Sequence, residues 1–211
     1  MLTGSIASLG RHYVIGLKAV DCNTGDLLAE VQRQAVDKEA VLRALDDAAI
    51  GLRGELGESL SSVEKYSTPL KEATTPSLEA LLAYSLGLET SRLKGDTAPL
   101  PFFRRALELD PNFAVAYNAI ASSYNNLDEV GRSQESVRKA YDLREKLSEH
   151  ERLSIEATYY LYVTGELEKA AQTYERWQQI YPRDYLPYTD LSFIYGNLEN
   201  FEDAFKQKLR A

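Results

Sequence analysis

Apolar and polar residues alternate through the first forty positions of the chain, and beyond them the period lengthens. Tyr13, Ile15, Leu17 and Ala19 share one parity, with His12, Gly16 and Lys18 on the other. After Cys22-Asn23-Thr24-Gly25, a second run sets Leu27, Ala29 and Val31 against Glu30, Gln32 and Gln34. A period of two predicts strands. Asn23-Thr24-Gly25 suits a type I turn closed by a left-handed Gly25, a loop that makes Leu17 face Val31 and Ala19 face Ala29. The run from Leu2 to Leu9 adds a strand through a turn at Gly10. Asp37 then reads as a helix cap, and Val41, Leu45, Ala48, Leu52 and Leu56 form a stripe at helical spacing that should cover the apolar sheet face. Such a small α+β unit (β-β-α, with the extra strand) is thin for its own core. Its extent is read as residues 1–60, followed by a linker over 61–76 marked by Ser61, Ser62, Thr68, Pro69, Thr74, Thr75 and Pro76.

From residue 77 the period is helical and the pattern repeats. Phe102-Phe103-Arg104-Arg105-Ala106-Leu107-Glu108-Leu109-Asp110-Pro111-Asn112 closely resembles the end of a tetratricopeptide repeat, a 34-residue helix-turn-helix unit. Anchoring its proline at Pro111 starts one copy at Ala80 and the next at Ala114, where Tyr117, Ile120, Ala121 and Tyr124 fall on the pattern's first-helix positions. A third copy starts at Glu151, after three extra residues near Glu145–Glu149, and a fourth at Tyr185 with Tyr188, Leu191, Ser192, Tyr195, Ala204 and Phe205 in place. The copies therefore span about 80–113, 114–150, 151–184 and 185–211. Pro99 near a small position, Ser133 where alanine is expected and Ser154 where a large residue is usual depart from the pattern. The fold class expected is mainly α, a right-handed α-α superhelix of about four repeats (a solenoid) preceded by the small α+β unit.

The first part carries a resemblance of its own. Leu2-Thr3-Gly4-Ser5-Ile6, an alternating strand, Asp21-Cys22-Asn23-Thr24-Gly25-Asp26-Leu27-Leu28 and then a helix are similar to the C-terminal part of a TolB amino-terminal-like domain, over about residues 2–60. In bacteria that domain often precedes tetratricopeptide repeats on large serine/threonine kinases, adenylate cyclases or transcriptional regulators. The resemblance implies a piece of a longer signalling parent lacking the domain's first half. An uncovered strand edge then predicts a homodimer through residues 1–60, or mobility there.

Composition narrows the function. Twenty-four basic and 32 acidic residues give a net charge of −8, spread evenly at −4 in residues 1–79 and −4 in 80–211, which argues against nucleic acid as partner. One cysteine, Cys22, excludes an internal disulfide and multi-cysteine zinc sites. There is no signal-peptide pattern and no apolar span, so no membrane contact by this chain itself is expected; it reads as cytoplasmic, or as the extracytoplasmic part of a membrane-anchored parent. His12 and His150 stand alone, and glycine-rich nucleotide loops, G-x-S-x-G and H-E-x-x-H are absent, so no enzyme, no metal and no cofactor is expected.

What remains is an interaction surface. In the repeat family, first-helix positions 5, 9 and 12 line a concave groove. The resemblance puts Asn118, Ser122 and Asn125, then Tyr159 and Tyr162, then Thr189 and Phe193 there, with Arg152 beside them. Tyr84 and Leu88 stand where some relatives carry the lysine and asparagine of a carboxylate clamp. The expected ligand is therefore an internal peptide segment with apolar or aromatic side chains, its backbone paired by the asparagines.

Overall fold

The computed structural model describes residues 1–59, 75–182 and 184–210. Most of the linker expected over 61–76 lies outside the described residues. The chain divides into two compact units, Met1–Leu78 and Glu79–Ala211.

In the first unit, β1 (Leu2–Leu9), β2 (His12–Val20) and β3 (Leu27–Ala35) form an antiparallel sheet in the order β1-β2-β3. The expected register is present: Leu17 pairs with Val31 and Ala19 with Ala29. One detail differs. Val20 pairs with Leu27, so the register slips beside Leu28 as the strands enter the turn. Leu27 thereby leaves the face of Ala29 and Val31, and both Leu27 and Leu28 are exposed. Gly25 takes the left-handed conformation (φ 79°), and Asp21 holds the turn by accepting the Asn23 and Thr24 N–H groups on its carboxylate.

Helix α1 (Val41–Glu55) covers the face of β2 and β3 with Val41, Ala44, Ala48 and Leu52 against Ile15, Ala19, Ala29, Val31 and Ala35. Asp37 is not its N-cap. Ala40 holds that place, and Asp37 Oδ1 accepts the Ala40 N–H at 2.9 Å, closing the turn just ahead of the helix. Leu56, expected to end the apolar stripe, follows the last turn and is exposed.

The second unit is an array of helix pairs: α2 (Leu78–Lys94) with α3 (Leu100–Leu109), α4 (Ala114–Asn126) with α5 (Val130–Asp142), α6 (Glu149–Tyr159) with α7 (Leu167–Ile180), and α8 (Leu186–Asn197) with α9 (Phe201–Lys208). Small side chains allow the close packing. Ala80, Ala106, Ala116, Ala140 and Ala170 are all fully buried at the contacts. Larger residues fill the layers between them, from Phe103, Ile120 and Tyr124 to Leu153, Tyr174, Trp177, Leu191 and Ile194.

The departures from the repeat have local explanations. Pro99 occupies the N-cap of α3, where proline removes no helical hydrogen bond. Ser133 is buried, and its hydroxyl donates to the Ala121 carbonyl at 2.9 Å, which satisfies it inside an apolar layer. The extra residues before the third pair form a 3-10 turn, Arg144–Lys146, followed by a capping box in which Ser148 and Glu151 each accept the other's backbone N–H.

Candidate peptide groove

First helices of all four pairs contribute to one open groove of about 310 Å³, lined among others by Tyr84 and Leu88 from α2, Asn118 and Ser122 from α4, Ser154 from α6 and Leu186 from α8. Tyr84 forms its aromatic wall, with ring centroids 5.1 Å from Phe113 and 5.7 Å from Phe103. Burial, and secondarily the charge of Glu151, push its hydroxyl up to about 12. At neutral pH it is therefore a donor.

Asn118 is the polar centre of this groove. Its Nδ2 donates to Ser154 Oγ over a long 3.5 Å, and its Oδ1 is buried with no hydrogen-bond partner. One end of the amide thus lacks what folding normally supplies. Ser122 is exposed and turns its hydroxyl to its own helix, donating to the Asn118 carbonyl at 3.2 Å. Ser154 stands where Tyr117 and Tyr188 stand in neighbouring pairs, and its small side chain leaves the space that Asn118 faces.

The other expected residues divide. Asn125 and Tyr162 come near each other, and burial, then the nearby Asp190, push the tyrosine hydroxyl up while the Asn125 side chain opposes them. Tyr162 packs against the buried layer of Tyr174, Leu191 and Ile194. Thr189 and Phe193 lie on the exposed side of α8, Phe193 58% accessible. Arg152 is half-buried in the first turns of α6 and makes no ion pair among the described residues.

Tyr159 is placed differently from the expectation. Its ring stacks on Tyr141 of α5 with centroids 3.8 Å apart, and the Arg144 guanidinium lies 3.7 Å from the Tyr141 ring centroid. Stacking on Tyr141 occupies one face of this half-buried ring. Beyond Tyr159 the helix runs on as a π turn, Tyr160–Thr164, ended by a left-handed Gly165.

Asp190 is the residue that positional reading passed over. It is the one charged residue in α8, within Leu186-Pro187-Tyr188-Thr189-Asp190-Leu191-Ser192-Phe193, and that isolation was its available signal. Its half-buried carboxyl lies near the Tyr174 hydroxyl, which is itself near Thr158. Burial pushes the carboxyl up and the nearby Tyr174 hydroxyl only partly opposes it.

No protein-family model matches the chain, and no curated protein does. Among solved structures it is similar to the first TPR of Spaghetti (RPAP3) bound to the HSP90 peptide SRMEEVD, at 20% identity over 57% of this chain and 96% of that one, with a TM-score of 0.45. It is similar to MamA at 16% identity, over 83% of this chain and 93% of that one, with a TM-score of 0.41. A thermophilic TPR protein of Thermus thermophilus is 18% identical over 62% of this chain and 72% of its own, with a TM-score of 0.45. These likenesses are distant, and the helix pairing described above stands on the chain's own contacts.

Among the described residues no three His, Cys, Asp or Glu side chains are grouped to hold a metal ion, and no helix is long and apolar enough to cross a membrane.

Proposed function

We propose that the helix-pair array is a non-catalytic interaction module that binds an extended peptide or protein segment along the groove of its first helices. The observation that carries this reading is the Asn118 amide, half-satisfied and facing an open groove. A peptide backbone supplies both a donor and an acceptor, and it completes this amide once the side chain turns its buried oxygen out of the groove wall. Asn125 adds a second amide about two turns further along α4. Tyr162, Phe193, Thr189, Ser122 and Arg152 complete the proposed contact set, and Tyr159 joins it only where a ligand displaces Tyr141 from its ring.

A peptide library displayed on phage, selected on the 211-residue chain, supplies a probe. The Asn118→Ala/Asn125→Ala double variant should bind the selected peptide about ten-fold more weakly, since two hydrogen bonds contribute about 1 kcal/mol or more together. Unchanged affinity rejects the groove.

A second reading rests on the TolB-like pattern of residues 2–60 and places the module in the C-terminal regulatory part of a bacterial signalling enzyme such as a serine/threonine kinase. The reading frame upstream of this sequence tests it. In the first unit, β1 is an edge strand with Leu2 and Ile6 exposed, which supports a homodimer through residues 1–60.

A further inference from the structure

We propose that the groove selects segments carrying a lysine or arginine, seated against Asp96 at the end of the groove where α2 and α4 finish. This rests on the peptide-groove reading and names the chemistry its ligand carries. Asp96 follows α2 by two residues and lines the groove together with Ser91 and Asn126. Its Oδ1 accepts Asn126 Nδ2 at 2.7 Å, which ties the carboxylate to the last residue of α4. Its Oδ2 takes no hydrogen bond among the described residues, and no lysine, arginine or histidine among them lies within ion-pair distance. Of the described residues that line the groove, Asp96 alone carries a charge. It is half-buried, and one amide is all that offsets its lost hydration on the protein side.

The surroundings suit a long cationic side chain. Helices α2 and α4 end at Lys94 and Asn126, so two sets of unpaired C-terminal carbonyls lie beside Asp96, and such ends favour a positive charge. Arg92 and Lys94, the basic residues of the last turn of α2, are exposed and stay outside ion-pair distance of the carboxylate. Leu88, on the groove wall, is 40% exposed and offers apolar surface to the methylene stem of a lysine or arginine. Spacing connects this place to the amide that holds the backbone. Asn118 and Asn126 are eight residues, or about 12 Å, apart along α4. An extended segment advances about 3.3 Å per residue, so one whose backbone pairs at Asn118 passes Asp96 about four residues on. Arg152 belongs to the other end, since Ser154, two residues after it, meets Asn118 at 3.5 Å. From there its charge acts on the Asp96 end over more than the screening length of about 8 Å at physiological salt.

The test selects short phage-displayed peptides in parallel on the full chain and on its Asp96→Asn variant, which keeps an oxygen for Asn126 to bond. Clones from the natural chain should carry lysine or arginine at one recurring position, and clones from Asp96→Asn should not. The commonest natural-chain clone is then made with acetylated and amidated ends and with lysine, norleucine or glutamate at that position. Titrated by fluorescence polarisation, the lysine peptide should bind the natural chain at least about ten-fold more tightly than the norleucine peptide, and the glutamate peptide most weakly. On Asp96→Asn the lysine and norleucine peptides should come within about three-fold of each other. Selected clones with no basic preference, or a lysine preference unchanged in a folded Asp96→Asn, overturn the subsite. In either case weaker binding to Asn118→Ala/Asn125→Ala still upholds the groove. If Asp96→Asn does not fold, the lysine-to-norleucine ratio on the natural chain decides alone, and a ratio below about three-fold overturns the subsite. A library that yields no binder rejects groove and subsite together.

Discussion

Two titrating side chains show how burial of a single residue couples stability to pH. Asp190 has its folded-state carboxyl raised by burial above the ordinary value of 3.8. The folded chain therefore holds that proton more readily than the unfolded one. The contribution to stability is present below pH 3.8 and is lost as pH rises through the higher folded value. At about pH 7 Asp190→Asn should accordingly be as stable as the natural chain or more so, with the difference shrinking as pH falls towards about 4. Urea unfolding at both pH values checks this; a loss above about 1 kcal/mol at neutral pH, the worth of an ordinary hydrogen bond, would mean that Asp190 is retained for folding. Tyr84 runs the same sign at the alkaline end. Its hydroxyl is raised from 10.0 to about 12, mainly by burial, so its contribution holds below pH 10.0 and fades between there and about 12. Tyr84→Phe cannot ionise and should retain more of its neutral-pH stability across that window, read by circular dichroism; an identical pH profile would contradict the buried placement.

At the level of elements, helix approach is set by the smallest side chains. A Cβ built on Gly87 in α2 would lie 2.3 Å from Phe103 Cε1 and 2.5 Å from Cδ1. Phe103 is 1% exposed and its ring has nowhere to go. Alanine gains up to about 1 kcal/mol as a helix former over glycine. Overpacking a core costs about 1–3 kcal/mol. The clash should win, so Gly87→Ala is expected to lower stability by about 1–2 kcal/mol in denaturant unfolding, whereas a stabilised variant would show that α2 and α3 are not in this contact. Tyr117 and Tyr124 illustrate a finer point of the same geometry. Both occupy repeat positions that pack helix on helix, yet Tyr124 is buried and Tyr117 half-buried, because Tyr117 keeps one face beneath the Lys139 ammonium.

For the whole molecule, the open edge of the small sheet is the feature with consequences for assembly. Helix α1 packs on β2 and β3, and β1 exposes Leu2 and Ile6 along a strand with one free edge. Edges of this kind add strands from other chains unless charge blocks them. Sedimentation at micromolar concentration should give a dimer, and Ile6→Lys should shift it to monomer; a natural chain that stays monomeric rules the dimer out.

Much of this was legible in the order of residues, and the reason is periodicity. Alternation gave the hairpin register down to Leu17 opposite Val31, and the recurrence of small, large and tyrosine positions located the helix pairs around Ala80, Ala114, Glu151 and Tyr185. Those features are local or strictly repeating, so a linear pattern encodes them. What depended on tertiary structure were choices between neighbours competing in space. The slip at Leu28 came from how the strands enter their turn, and the start of α1 came from which N–H Asp37 could reach. Tyr159 went to Tyr141 because a stacked ring and a guanidinium were within reach, and Asn118 was left half-paired because Ser154 is small. Asp190 gained its meaning only when folding put Tyr174 and Tyr162 around it, residues 16 and 28 positions away in a sequence whose repeat period records neither distance.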